Sequence, residues 1–309
     1  MKTENEIRVK MIRMSNSFVP FVKVDYMDKD AKEHTGWMLV DSGTNDSILA
    51  GEIADRCMLK KKDNKVNRIR TVSGEFVETT KVKFSFVLGN RQIYEDFDLC
   101  DDFHKNILLD SSVIGIIGIN ILHDHNLVID YADGSLHTSN VNPSNLTFAD
   151  CEYFFPITIG IKCYGLPVVA IRQNDADLVM LADTGATNNV IAMQSLKENE
   201  FKHSFLDSKD VITGLNGGVE VEEATVDFNL LTLDENNNEA EVCHHDLFKV
   251  MPRYIVQSDE AGCDENGEPL PPIEGLICSE FMAQQGWALD FGAMIIYKRK
   301  LKEHLKEAV

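Results

Sequence analysis

Apolar runs that end in a carboxylate, a hydroxyl and a glycine occur twice: Trp37-Met38-Leu39-Val40-Asp41-Ser42-Gly43-Thr44 and Val179-Met180-Leu181-Ala182-Asp183-Thr184-Gly185-Ala186. An uninterrupted apolar run bounded by a glycine turn predicts a buried strand, so each Asp is delivered from a core strand. The copies stay in step beyond the glycine, Asn45-Asp46-Ser47-Ile48-Leu49 against Thr187-Asn188-Asn189-Val190-Ile191. A single Asp-Ser/Thr-Gly triplet is a weak signal; two inside matching apolar frames indicate duplication.

The remaining pattern repeats the same way. A strand is predicted from Phe18 to Asp25, a polar turn from Met27 to Thr35, a basic surface loop at Lys60 to Lys65, and alternating strands around a glycine from Ile69 to Val87. Its counterpart runs from Val211 to Leu230, where Asn216-Gly217-Gly218 supplies the positive φ angles of a tight hairpin. A third matched pair, Ile116-Ile117-Gly118-Ile119-Asn120 and Leu276-Ile277-Cys278-Ser279-Glu280, leads each time into a short helix and a last strand, Asn126 to Tyr131 and Gly286 to Phe291. The copies lie 142 residues apart at the Asp motifs and 160 apart here, so the second has gained residues, in part in the loop Ser258 to Pro272. A long period present only twice predicts a two-lobed, all-β molecule and not a solenoid. The expected division is an aperiodic N-terminal arm 1–16, a first lobe 17–148, a second lobe 149–297 and a tail 298–309 with helical spacing, with the seam near Val141 to Asp150.

Composition narrows the function. With 50 acidic and 30 basic side chains among 309 residues the net charge is −20, which disfavours nucleic acid and anionic membranes as partners. There is no apolar segment of spanning length and no secretory leader pattern in the opening residues, and the seven cysteines are an odd number without C-x-x-C spacing. The expectation is a reduced, cytoplasmic protein. His123-Asp124-His125 and His244-His245 lack the spacing of metal ligands and are read as solvated or capping residues, so no metal and no cofactor is expected.

On its twin Asp motifs, glycine-tipped hairpins and aliphatic-aliphatic-Gly segments, the chain from Phe18 to Tyr297 resembles the retropepsin-like aspartic peptidases, as two retropepsin-type β-barrel lobes with short helices fused in one chain about a pseudo-twofold axis. The resemblance implies an aspartic endopeptidase that needs no cofactor. Asp41 and Asp183 would be the catalytic pair, and Ser42 and Thr184 would tie the two loops together. Gly43, Gly185 and the hairpin tips near Gly74 and Gly217 would bind a peptide or protein substrate. Two carboxylates about 3 Å apart share one proton and so present an acid and a base together. The duplication supplies the symmetry, so a monomer is expected. Thr44, opposite Ala186, would donate to Asp41 and make it the more readily ionised member, leaving Asp183 the proton. Cys278 departs from the pattern where a small Gly is expected, which would crowd the backbone beneath Asp183. The same motifs also suit a non-catalytic peptide-binding module that keeps the fold; a purely structural duplicated β protein would leave the twin Asp motifs unexplained.

Overall fold

The computed structural model describes residues 6–13, 17–70, 76–101, 103–106, 111–140, 151–157, 167–173, 175–214, 217–234, 238–256, 263 and 266–299. The seam 141–150, the hairpin tip holding Gly74, much of the 258–272 loop and the tail beyond Arg299 lie outside the described residues.

Period-two burial builds both lobes. Along Phe76–Leu88 the side chains of Val82, Phe84, Phe86 and Leu88 are buried while the residues between them are more open. Their counterparts in Gly217–Leu233 are Ala224, Val226, Phe228 and Leu230, buried in turn. A strand with one apolar face curls that face inward, and six strands close the surface into a barrel with no open edge. In the first lobe Pro20–Met27, Glu33–Val40, Val113–Ile117, Ile48–Ala50, Arg91–Cys100 and Phe76–Leu88 pair in that order, and Val24↔Leu88 returns the last strand to the first. In the second, Val168–Gln173, Ala176–Asp183, Gly275–Cys278, Asn189–Ala192, Glu239–Met251 and Gly217–Leu233 do the same, closed by Ile171↔Leu230. The two barrels are therefore one topology used twice.

Each half adds three strands to a sheet shared by both. Its order is Arg8–Lys10, Ser135–Thr138, Leu127–Asp130, Trp287–Asp290, Ile295–Arg299 and Cys151–Pro156. At its middle Ile129 faces Leu289, flanked by Val128↔Asp290 and Asp130↔Ala288, which places the pseudo-twofold axis through that pair. Trp287, fully buried, packs against Phe155 and Phe281 and donates its indole N–H to the Tyr153 hydroxyl at 3.1 Å.

Three expectations change. Arg8–Lys10 and Ile12–Arg13 are strands and not aperiodic chain; two- and three-residue edges carry no periodicity, and the partner of the first, Ser135–Thr138, lies far along the sequence, while the second pairs with the nearby Pro20–Phe21. Lys61–Arg70 is a strand paired with Phe76–Leu88, so the lysine-rich stretch is one arm of the hairpin and not a loop. The tail's first residues, Lys298 and Arg299, extend the Ile295–Arg299 strand instead of opening a helix, because Cys151–Pro156 supplies a backbone partner.

Replacing either Ile129 or Leu289 by Ala should cost about 2–5 kcal/mol of stability, as for other buried large-to-small changes. Because the two face each other across the axis, the double variant should depart from additivity by about 0.5 kcal/mol or more in urea unfolding. Additive losses would mean that the central pair does not couple the halves.

Candidate active site

Glu33–Val40 runs into the first Asp motif with Met38 and Val40 fully buried, and the Asp41 N–H donates to the Ile117 carbonyl at 2.9 Å. Asp183 closes the Ala176–Asp183 strand in parallel register with Cys278. The two loops then lock together. The Ser42 N–H donates to Thr184 Oγ1 at 2.9 Å and the Thr184 N–H to Ser42 Oγ at 3.0 Å. Each hydroxyl passes its proton across the junction, Ser42 Oγ to the Ala182 carbonyl at 2.6 Å and Thr184 Oγ1 to the Val40 carbonyl at 2.8 Å. Both hydroxyl residues are completely buried, so every one of these polar groups is satisfied away from water.

That lock brings the carboxylates together. A Cβ on Gly43 would lie 2.5 Å from the Asp183 carboxyl carbon, and one on Gly185 would lie 2.6 Å from that of Asp41, so each loop's glycine leaves room for the other lobe's carboxylate. The Gly43 N–H donates to Asp41 Oδ1 at 2.7 Å; the N–H groups of Gly185 and Ala186 donate to Asp183 Oδ1 at 2.8 and 3.1 Å. Each carboxylate keeps part of its surface open while protein encloses the rest. Burial, then the Asp183 charge, hold Asp41 well above the usual carboxylate range; burial also raises Asp183, opposed by the hydrogen bond it accepts from Asp41 and by its N–H donors. With both groups raised, the pair holds one shared proton.

The contact expected between Thr44 and Asp41 is not made. The Thr44 hydroxyl donates to the Asp46 carbonyl at 3.3 Å, a turn within its own loop, and not to Asp41. Asp183 instead gains the second N–H donor, from Ala186. Cys278 does not crowd the crossing: its backbone is extended (φ −88°, ψ 169°), its thiol is buried, and its N–H donates to Asn189 Oδ1 at 2.9 Å. The tightest approaches fall three residues earlier, at Gly115 and Gly275, where a Cβ would lie 2.4 and 2.2 Å from the carbonyl oxygens of Ile48 and Val190, whereas at Gly118, the counterpart of Cys278, it would lie 2.9 Å from those of Thr44 and Asp46. Gly217 stands opposite Gly214 at the described end of the second hairpin, while Gly74 is outside the described residues.

Sequence reading missed the ion clusters at the hairpin roots. Lys81 bridges Asp46 of the first Asp loop (2.7 Å) and buried Asp98 (3.1 Å). At the equivalent places in the second lobe the signs are exchanged: buried Lys249 binds Glu223 and, at 2.6 Å, Asp210. Two cavities of about 420 and 260 Å³ lie on the second lobe, sharing Phe155, Pro156 and Leu231, and neither is lined by Asp41 or Asp183.

With this geometry in hand, the likeness to solved structures is informative. An aspartic proteinase from Irpex lacteus superposes with a TM-score of 0.52 at 12% identity, covering 96% of this chain and 97% of that one. The chain has the bilobal, pepsin-like aspartic-proteinase fold. Basic 7S globulin from soybean is equally similar, with a TM-score of 0.52, 10% identity and 96% of each chain covered. Both likenesses run through both lobes, so they support the two-lobed pepsin-like form and do not single out a retropepsin-type one. No protein-family model and no curated protein matches the sequence.

Two measurements test the site. Removing one hydroxyl, in Ser42→Ala or Thr184→Ala, strands a buried N–H and should cost about 1–3 kcal/mol, read by denaturant unfolding; a loss below about 0.5 kcal/mol would contradict the lock. The dyad's raised pKa values also link to stability. The folded pair binds its protons more tightly than the unfolded chain, so its contribution is full below the unfolded value and is lost as pH rises from there through the folded one. Asp41→Asn should therefore melt above the parent near pH 7 and level with it below about pH 4. A difference independent of pH would show that the carboxyls are not raised.

Proposed function

We propose that the chain is an aspartic endopeptidase that hydrolyses peptide bonds with a water activated between Asp41 and Asp183. The observation that carries this reading is the meeting of the two carboxyls across the lobe junction, each lying in the space that the other loop's glycine leaves open. Asp183, ionised, takes a proton from the attacking water, while Asp41, protonated, gives one to the carbonyl oxygen that acquires charge. The proton between them is what lets one site act as base and acid at once. A module that only binds peptide has no need of two enclosed carboxylates held at this cost, which favours catalysis over the binding reading.

Each lobe, as a retropepsin-type unit, contributes one Asp loop, so the working form is a monomer acting on an extended peptide or protein segment. No metal or organic cofactor enters the chemistry. The cytoplasm suits the free thiols of Cys57, Cys243, Cys263 and Cys278. No helix among those residues is long and apolar enough to cross a membrane.

Asp41→Asn and Asp183→Asn should each lower kcat/KM by about 10²-fold or more, with circular dichroism unchanged, because an amide keeps the shape and loses the exchangeable proton. Incubation with a mixed peptide library between acid and neutral pH, read by mass spectrometry, supplies the substrate. Since Asp41 holds its proton above the usual carboxylate range, the alkaline limb of the pH–rate profile should lie above that range too. Near-parental turnover in either variant would remove the dyad from the mechanism.

A further inference from the structure

The two halves can be compared position by position, and around the Asp loops they differ in one connected way. Ser279 opens the helix Ser279–Gln285 and is completely buried; its Oγ donates to the Thr184 carbonyl. Tyr131, which follows the Leu127–Asp130 strand of the other half, bonds Ser279 Oγ through its hydroxyl at 2.8 Å. With the serine proton committed to Thr184, the phenol is the donor. The Thr184 carbonyl belongs to the same peptide group as the Gly185 N–H, and that N–H donates to Asp183 Oδ1 at 2.8 Å. The result is an unbroken line: Tyr131 hydroxyl, Ser279 hydroxyl, the Thr184–Gly185 peptide, the Asp183 carboxylate.

At the mirrored positions stand Ile119 for Ser279 and Phe291 for Tyr131, both buried and both without a hydroxyl. No such line therefore runs from these two positions to the Ser42–Gly43 peptide behind Asp41. We propose that Tyr131 and Ser279 are positioning residues that, acting through the Thr184–Gly185 peptide, make Asp183 the ionised member of the dyad and Asp41 the proton holder. The physical reason is polarisation. A donor on a peptide carbonyl strengthens the donation of the N–H on the same peptide group, and serial hydrogen bonds reinforce one another in an enclosed site. A stronger N–H donor favours the charged carboxylate that accepts from it. The line is also anchored from the far side of the junction, since the Tyr131 N–H donates to the Trp287 carbonyl at 2.9 Å within the shared sheet. The charged and titratable groups around it are Arg13, Cys278 and Asp183 near the phenol, Asp41 beside Asp183, and Asp246 and Glu280 near the Cys278 thiol.

This inference rests on the proposed dyad but is tested without turnover. In protein carrying ¹³C at the Asp carboxyls, with the Asp183 signal assigned by its loss in Asp183→Asn, the more acidic step of the pair is followed by NMR. Tyr131→Phe, which keeps the ring, and Ser279→Ala should each move that step up by about 0.5 on the pH scale. On any peptide the parent cleaves, both should lower kcat by about 3- to 10-fold with KM held. An unmoved Asp183 step in both variants, with the parent's melting temperature retained, overturns the proposal, as does a rise in KM with kcat unchanged. A parent that cleaves no peptide removes the peptidase reading and leaves the titration to decide the relay.

Discussion

Two buried hydroxyls set the conditions for everything else in this molecule. Ser42 and Thr184 each accept a backbone N–H from the opposite loop and donate to a carbonyl across the junction. Reciprocal bonding of this kind closes only when the loops are related by a twofold rotation, so the hydroxyls fix both the distance and the relative orientation of the Asp-bearing strands. Four buried polar groups are satisfied by one another, and any slippage would leave several of them unpaired at about 1–3 kcal/mol each. The barrels hold the strands that carry the loops, and the shared sheet with Ile129 facing Leu289 keeps those barrels on the same axis. The glycines after the hydroxyls then matter for what they lack, because a Cβ on either would occupy the place of the other lobe's carboxylate.

Enclosing two carboxylates is unfavourable unless their charge is reduced and what remains is hydrogen-bonded. Both conditions are met here by the same contact. One proton shared by the pair halves its charge, and its position between the carboxyls helps to stabilise the charge that is left. Backbone N–H groups of Gly43, Gly185 and Ala186 supply the remaining donors. The arrangement is least stable where both groups would ionise, so the condition that makes the pair useful as acid and base also makes it a pH-dependent weakness in the fold.

Much of this was legible in the sequence, for identifiable reasons. The duplication, the β character and the twin loops carrying Asp41 and Asp183 could be read because apolar periodicity and a three-residue motif are local signals that repeat at a fixed offset. The pairing of Ser42 with Thr184 followed from the resemblance, and the structure supplies its bonds. What stayed hidden depends on partners far along the chain. The strand Arg8–Lys10 exists because Ser135–Thr138 lies beside it, and Tyr131 meets Ser279 across 148 residues with no pattern linking them. Thr44 was misread for a different reason. A Thr hydroxyl in a turn competes for the nearest carbonyl two residues on, and here that carbonyl, of Asp46, takes it. Cys278 was read as crowded by analogy with its counterpart Gly118, where a Cβ would lie 2.9 Å from the Thr44 and Asp46 carbonyl oxygens; in the second lobe the tightest approach falls instead at Gly275, pressed against Val190.

The differences between the halves are as ordered as the likeness. Where side chains fill a barrel the copies keep the same character, as Phe86 and Phe228 or Leu88 and Leu230 do, since packing tolerates little change in volume. Where side chains make polar contacts the copies have separated: Lys81 with Asp98 in one lobe becomes Glu223 with Lys249 in the other, the ion pair preserved and its direction reversed. A cross-strand pair keeps its attraction when its signs are exchanged, so that position was free to drift without loss of the hairpin root. The Asp loops obey a stricter rule. A symmetric environment would leave the shared proton equally at home on either carboxylate, whereas general acid–base chemistry on one carbonyl wants an assigned donor and an assigned acceptor. Ile119 against Ser279 and Phe291 against Tyr131 break the symmetry behind the loops while Ser42 and Thr184 preserve it between them. Fusing the two copies into one chain is what permits this, because an identical pair of subunits cannot place a serine behind one carboxylate and an isoleucine behind the other.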